Sequence, residues 1–267
     1  MKKYISFFRI RFINGLQYRA AALAGVATQF AWGFLELLAF SAFYRADPSA
    51  FPMEFSQFSS YIWLQQAFLA LFMTWFFDGS IFDAITSGSV AYELARPMDL
   101  YNMWFVKNVA IRLSKAVLRC VPVLIVAFFL PQPYGISLPP DAVTFLMFCL
   151  TMALGFVVVI AFGMLIYTAT FYTLNPLGIR VVAISLADIF TGALIPLPFL
   201  PNGIRTVFEL TPFAAMQNIP LRVYSGNISG EELVWSVALQ LFWAAALVLI
   251  GKVWMKQAVK KVIVQGG

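Results

Sequence analysis

Histidine is absent from this chain, cysteine occurs only twice, and charged residues make up 11% of its 267 positions. Without histidine the commonest metal ligand and the usual general base are both missing, so neither a metal centre nor a Ser-His-Asp group is expected. Nor is there a GxxxxGK(S/T) phosphate loop, a nucleophile elbow or a pair of metal-binding carboxylates. Cys120 and Cys149 both stand in apolar sequence, where thiols pack as small hydrophobes; a disulfide between them is the alternative. The shortage of charge also excludes a soluble domain, because 18 basic and 12 acidic residues cannot cover the core that a chain of this length would bury.

What is present is apolar: 61% of residues, including 28 phenylalanines. The charge-poor stretches are 20–44 (one acid, Glu36), 55–77, 120–140, 142–179, 181–204 (one acid, Asp188) and 233–251. A hydrocarbon core of about 30 Å needs roughly 20 helical residues, so these stretches predict six transmembrane helices. They lack the short alternating pattern of a membrane barrel, and the expected class is an all-α polytopic membrane protein. Trp63 and Trp75 stand near opposite ends of the second span, where aromatic rings favour the interface.

Basic residues orient the chain. With a cytoplasmic amino terminus, fifteen Lys and Arg lie on the inner side and only Arg45, Arg205 and Arg222 outside, which also places both termini inside. Residues 1–19 are basic and aromatic, interrupted by Arg9 and Arg11, and read as a retained interfacial helix and not a signal peptide. The net charge of +6 therefore suits anionic membrane lipid; the basic residues flank spans and do not form a nucleic-acid groove.

Three further segments stand out. Residues 79–101 form a cytoplasmic segment after the second span, with Ile81, Phe82, Ile85, Val90 and Leu94 as apolar faces and Gly88 and Pro97 as turn and stop. Arg112, Lys115 and Arg119 share one helix face by spacing. They either reach inner-leaflet phosphates or form a basic wall facing a cytoplasmic vestibule or partner subunit. Residues 196–220 open with Pro196, Pro198 and Pro201 yet carry Ile204, Val207, Phe208, Leu210, Phe213, Ala214 and Met216, too apolar for a wet loop. Two short re-entrant helices in the outer leaflet, broken at Pro212, are expected there before the last span. Glu36 and Asp188 are acids inside apolar spans, read either as neutral packing residues or as ion-coupling groups.

The basic amino-terminal stretch, the six spans, ITSGSVAYELARPMDLY after the second and GALIPLPFLPNGIRTVFELTPF after the fifth together resemble a permease subunit of the type-two ATP-binding-cassette exporters. The resemblance covers nearly the whole chain and implies one transmembrane domain over 1–267 in a bacterial cell membrane. It implies no cofactor in this chain, with ATP and Mg bound by a separate ATPase subunit, and a second permease, identical or related. It makes Gly88, Tyr92, Glu93, Leu94, Arg96 and Pro97 the coupling element that sits on the ATPase. It also places 196–220 over the outer half of a translocation route, with Phe208 and Phe213 as gate aromatics and Arg112, Lys115, Arg119 and Asp188 as candidate path residues. The cargo is left open among lipid, peptide, glycan and hydrophobic drug. An ion-coupled secondary transporter and a non-transport membrane scaffold are the alternatives.

Overall fold

The computed structural model describes residues 1–261; the last residues of the predicted single domain, 262–267, lie outside the described residues. In chain order its helices are α1 (Lys2–Gly15), α2 (Arg19–Ala46), α3 (Phe55–Ala67), α4 (Leu69–Phe72), α5 (Gly79–Thr86), α6 (Val90–Leu94), α7 (Leu100–Phe129), α8 (Ala142–Thr173), α9 (Pro176–Phe190), α10 (Asn202–Glu209), α11 (Asn218–Tyr224) and α12 (Gly230–Val259). No strand is present among the described residues. The all-α class expected from the sequence is the one observed.

Helices α2, α8 and α12 are each long and apolar enough to cross a membrane. The other predicted spans are less regular. Helix α7 has 30 residues, about 45 Å at the α-helical rise, but its first two-thirds carries Lys107, Arg112, Lys115 and Arg119. The second apolar stretch is split at Phe68 into α3 and α4 and leaves the helical path at Met73, short of the expected end at 77. Helix α9 stops at Phe190, ahead of the expected Ile195. Along α2, α8 and α12 the outward side chains are large and apolar, among them Leu38, Phe43, Leu146, Val234 and Leu249. A surface of that kind requires hydrocarbon around it, and the chain is a multi-pass membrane protein.

Local chemistry sets the boundaries. Asp99 starts α7 by accepting from the Asn102 amide at 2.9 Å, and Asp141 starts α8 by accepting from the Thr144 amide at 2.7 Å. Helix α8 ends on Leu174 in the left-handed region; Asn175 then caps α9, whose first position is Pro176. Helix α8 packs along α12, and α1 lies along α7.

The centre of the bundle is α3, buried over almost its whole length. Trp63 is fully enclosed, and its indole N–H donates to the Tyr134 carbonyl at 2.7 Å, so it does not take the membrane-interface position expected for it. A loop carbonyl satisfies the polar edge of the ring inside protein. Phe40, Phe51, Phe58 and Phe199 form an aromatic cluster with centroid separations of 4.7–6.4 Å that ties the α2–α3 loop and residues 197–199 to the same end of the bundle. Both cysteines are free thiols; Cys149 faces outward and Cys120 is half-buried.

Candidate functional site

The segment after α4 is bound to the bundle at several points. Asp78 caps α5 through the Ser80 amide at 3.0 Å and pairs with Lys107 of α7 at 2.8 Å. The Lys107 ammonium also donates to the Ser80 hydroxyl at 2.6 Å. Burial would raise the Asp78 carboxyl, but Lys107 and Ser80 more than offset this and hold it below its ordinary range. The Asp78 amide donates to the Tyr167 hydroxyl of α8 at 2.6 Å, and that hydroxyl donates in turn to Asn108 at 3.4 Å. Ile81, Phe82 and Ile85 bury the inner face of α5.

Gly88 then reverses the chain at φ +74, a conformation that favours glycine, and α6 follows. Its residues divide by direction. Val90 is fully buried, while Glu93 turns back to accept from the Trp104 indole N–H. Tyr92 is 80% exposed and Leu94 39% exposed, so Leu94 does not share the buried face expected for it with Val90. Arg96 and Pro97 are exposed, the Pro97 carbonyl accepts from the Lys3 ammonium, and the Tyr4 hydroxyl accepts from the Asp99 amide at 3.1 Å. The six predicted coupling residues thus fall on one short hairpin whose return strand is fastened to α1 and α7. Asp78, Trp104, Asn108 and Tyr167, which help hold that hairpin, were not singled out from sequence, and Lys107 was noted there only as one of the basic residues ahead of the third span. Their partners lie up to 89 residues apart, and no local spacing reveals them.

Arg112, Lys115 and Arg119 do lie along α7, but they do different things. The Arg112 guanidinium is buried and donates to the carbonyls of Leu71, Met73 and Phe76 at 2.9, 2.9 and 3.0 Å. These are carbonyls that the early end of α4 leaves without helical partners, so Arg112 supplies the missing donors. Lys115 sits 3.4 Å above the Phe76 ring, and Arg119 lies across α2 beside Gly25.

Between α2, α3, α4 and the end of α9 is a cavity of about 490 Å³ lined by Gln29, Glu36, Gln65, Gln66, Arg119 and Asp188, among others. Thr74 donates to the Asp188 carboxylate at 3.2 Å. Gln65 donates to the Ala193 carbonyl at 3.1 Å, but its oxygen has no partner. Both polar atoms of Gln29, the Gln66 oxygen and Glu36 Oε2 are buried without one. A cavity of this size, mostly apolar with a few polar residues in its lining, is the usual form of a small-molecule site. Glu36 and Asp188, 152 positions apart in sequence, line the same space. The three glutamines were missed because the apolar stretches were delimited by charge alone; amides inside apolar spans are the signal that finds them.

Residues 196–220 hold α10 and only the start of α11; the chain from Leu210 to Gln217, including Pro212, is irregular, so the second of the two expected short helices begins at Asn218 and runs past 220 to Tyr224. Helix α10 leaves Ile204 and Val207 outward, whereas α11 is entirely buried. Phe208 and Phe213 pack on Phe190 at centroid distances of 4.3 and 5.7 Å, and Phe213 also meets Phe162 at 5.3 Å. Arg222, buried, pairs with Glu209 at 2.8 Å and Glu232 at 2.9 Å, tying α10, α11 and α12 together. Gln240 of α12 donates to the carbonyls of Thr151 and Ala215 at 3.1 and 2.8 Å.

A lipid-facing helical bundle with a largely apolar cavity that carries a few amides and two acids, and with a fastened, exposed hairpin, is consistent with a membrane permease. The sequence matches the profile of the ABC-2 family transporter proteins over residues 30–266, and the chain belongs to that family. Members are non-catalytic permease components, which typically pair with an ATPase subunit and often with a second permease. A search of curated proteins finds no match to the chain.

Proposed function

We propose that this chain is the membrane-spanning subunit of an ATP-driven exporter, one of two permeases, identical or related, that work with ATPase subunits holding ATP and Mg. The family supplies the class; the exporter role and the coupling rest on the physical argument that follows. Its six spans are α2, α3 with α4, α7, α8, α9 and α12, with both termini cytoplasmic in a bacterial cell membrane. Helix α1 lies on the inner surface and residues 196–220 fold back into the outer leaflet. The single observation that carries the reading is the hairpin around α6, which exposes Tyr92 and Leu94 while Asp78, Glu93 and Pro97 hold it to α7, α8 and α1.

An exposed aromatic and leucine on a fixed support suit an apolar pocket on a partner, since such anchors carry most of the binding energy of an interface. Force applied there reaches α7 through the Lys107 and Trp104 contacts and α8 through Tyr167. ATP binding draws the ATPase domains together, the two hairpins follow, and the bundle is biased toward an outward-open arrangement; hydrolysis resets it. The cavity bearing Gln29, Gln66, Glu36 and Asp188 is the substrate site on this route, with Arg119 in its wall; Phe208 and Phe213 pack on Phe190 and do not line it. Arg112 serves the path by holding open the broken end of the second span.

The test is co-purification of the ATPase with Tyr92→Ala and Leu94→Ala variants that still insert. Loss of one anchor weakens association roughly fivefold or more. Glu93→Gln keeps the ATPase bound but lowers transport per ATP hydrolysed. Normal association in both alanine variants removes the coupling role from α6.

A further inference from the structure

A second cavity, of about 460 Å³, lies where α1 turns into α2 against α7; it shares Arg119 with the first cavity and Asp78, Ser80 and Lys107 with the anchorage of α5. Its charge is one-sided. Arg11, Lys107, Lys115 and Arg119 line it, and the one acid present, Asp78, is already paired with Lys107. Among the described residues the remaining ion pairs belong to Arg205 and Arg222, so Arg11 and Lys115 line this space with no carboxylate partner, and Arg119, whose guanidinium lies beside Gly25 in the wall of the first cavity, has none either. The Arg119 Nε is buried and unpaired. Cations without a carboxylate partner beside a cavity at the edge of a hydrocarbon region are costly unless an anion enters.

We propose that this cavity binds a phosphate-bearing group, and specifically the headgroup of an anionic phospholipid of the same leaflet. Level and surroundings favour a lipid over free phosphate. Helix α1 meets α7 at Gly15, where an added Cβ would lie 2.0 Å from the Ser114 hydroxyl, so the two helices touch at the level of the cavity. On α1, Ile5, Ile10 and Ile13 stay exposed beside it, a surface that acyl chains would cover and water would not. Asn14 and Ser80, also in the lining, add hydrogen-bonding groups suited to glycerol and phosphate oxygens. Bound there, the lipid bridges α1 and α7 and joins the elbow to the helix that receives the coupling hairpin.

The experiment is native mass spectrometry of the purified protein offered phosphatidylglycerol and phosphatidylcholine of identical acyl chains. Phosphatidylglycerol is retained preferentially, and millimolar inorganic phosphate leaves it in place. Arg11→Gln and Lys115→Gln each weaken its retention roughly fivefold while retention of phosphatidylcholine stays as in the parent. Arg11 is half-exposed on a peripheral helix, so its substitution leaves the bundle folded. Equal retention of the two lipids, or an unchanged preference in both variants, overturns the site. Displacement by inorganic phosphate reassigns the cavity to free anions and overturns the lipid assignment.

Discussion

At the α1 end of the bundle Asp78, Lys107 and Tyr167 are bound to one another, and at the opposite end Arg222 is held between Glu209 and Glu232; in the cavity between the ends Gln29, Gln65, Gln66 and Glu36 keep buried polar atoms without partners. The difference separates construction from transport. Paired groups at the ends fix loops that no apolar surface would hold, such as α10 on α11 and α5 on α7. Unpaired amides beside a cavity oppose stability, and on the proposed route they are kept for the substrate.

The comparison breaks most visibly at Arg222. Arg222→Met leaves Glu232 without its cation and Glu209 with Arg205 alone; because both acids are partly exposed, stability falls by about 2 kcal/mol, read as a fall in the thermal midpoint in detergent. A midpoint within a degree or so of the parent would show that the external network is ornamental. At the other end, Tyr167→Phe strips the Asp78 amide of its acceptor at a cost of about 1–2 kcal/mol, and ATP hydrolysis continues with less transport. Hydrolysis and transport falling together would contradict a role in coupling.

The cavity should behave in the opposite sense. Gln29→Leu removes two unpaired atoms and changes stability by less than about 1 kcal/mol, in either direction, while transport in reconstituted vesicles drops. A large loss of stability with transport intact would make Gln29 a structural residue.

The smallest effect is with pH. The Asp78 carboxyl is held below its ordinary range in the folded chain, so its contribution is present above the unfolded value and is lost as pH falls through the lower folded one. The gap in thermal midpoint between the parent and Asp78→Asn therefore narrows as pH drops below about 4. A gap independent of pH there would remove the carboxylate from the network's stability.

Much of the fold was legible because hydrocarbon imposes a simple pattern: runs of about 20 apolar residues. The hairpin too could be placed, since Gly88 and Pro97 mark its turn and stop. What the sequence hid was direction. Nothing in VAYEL says that Val90 and Glu93 turn inward while Tyr92 and Leu94 turn out, because a five-residue helix has too few turns to show a face. Arg112 was hidden for a different reason: its partners are carbonyls exposed by a helix break at Met73 that no proline or glycine announces. The cavity escaped because its glutamines carry no charge and its two acids meet only through the packing of α2 and α9.

The account stands most directly on the company this chain keeps. Mass spectrometry of the intact complex, gently isolated from native membranes, should find an ATP-binding-cassette ATPase in about one-to-one ratio with total permease chains. Reproducible recovery of the membrane complex without any ATPase would contradict it.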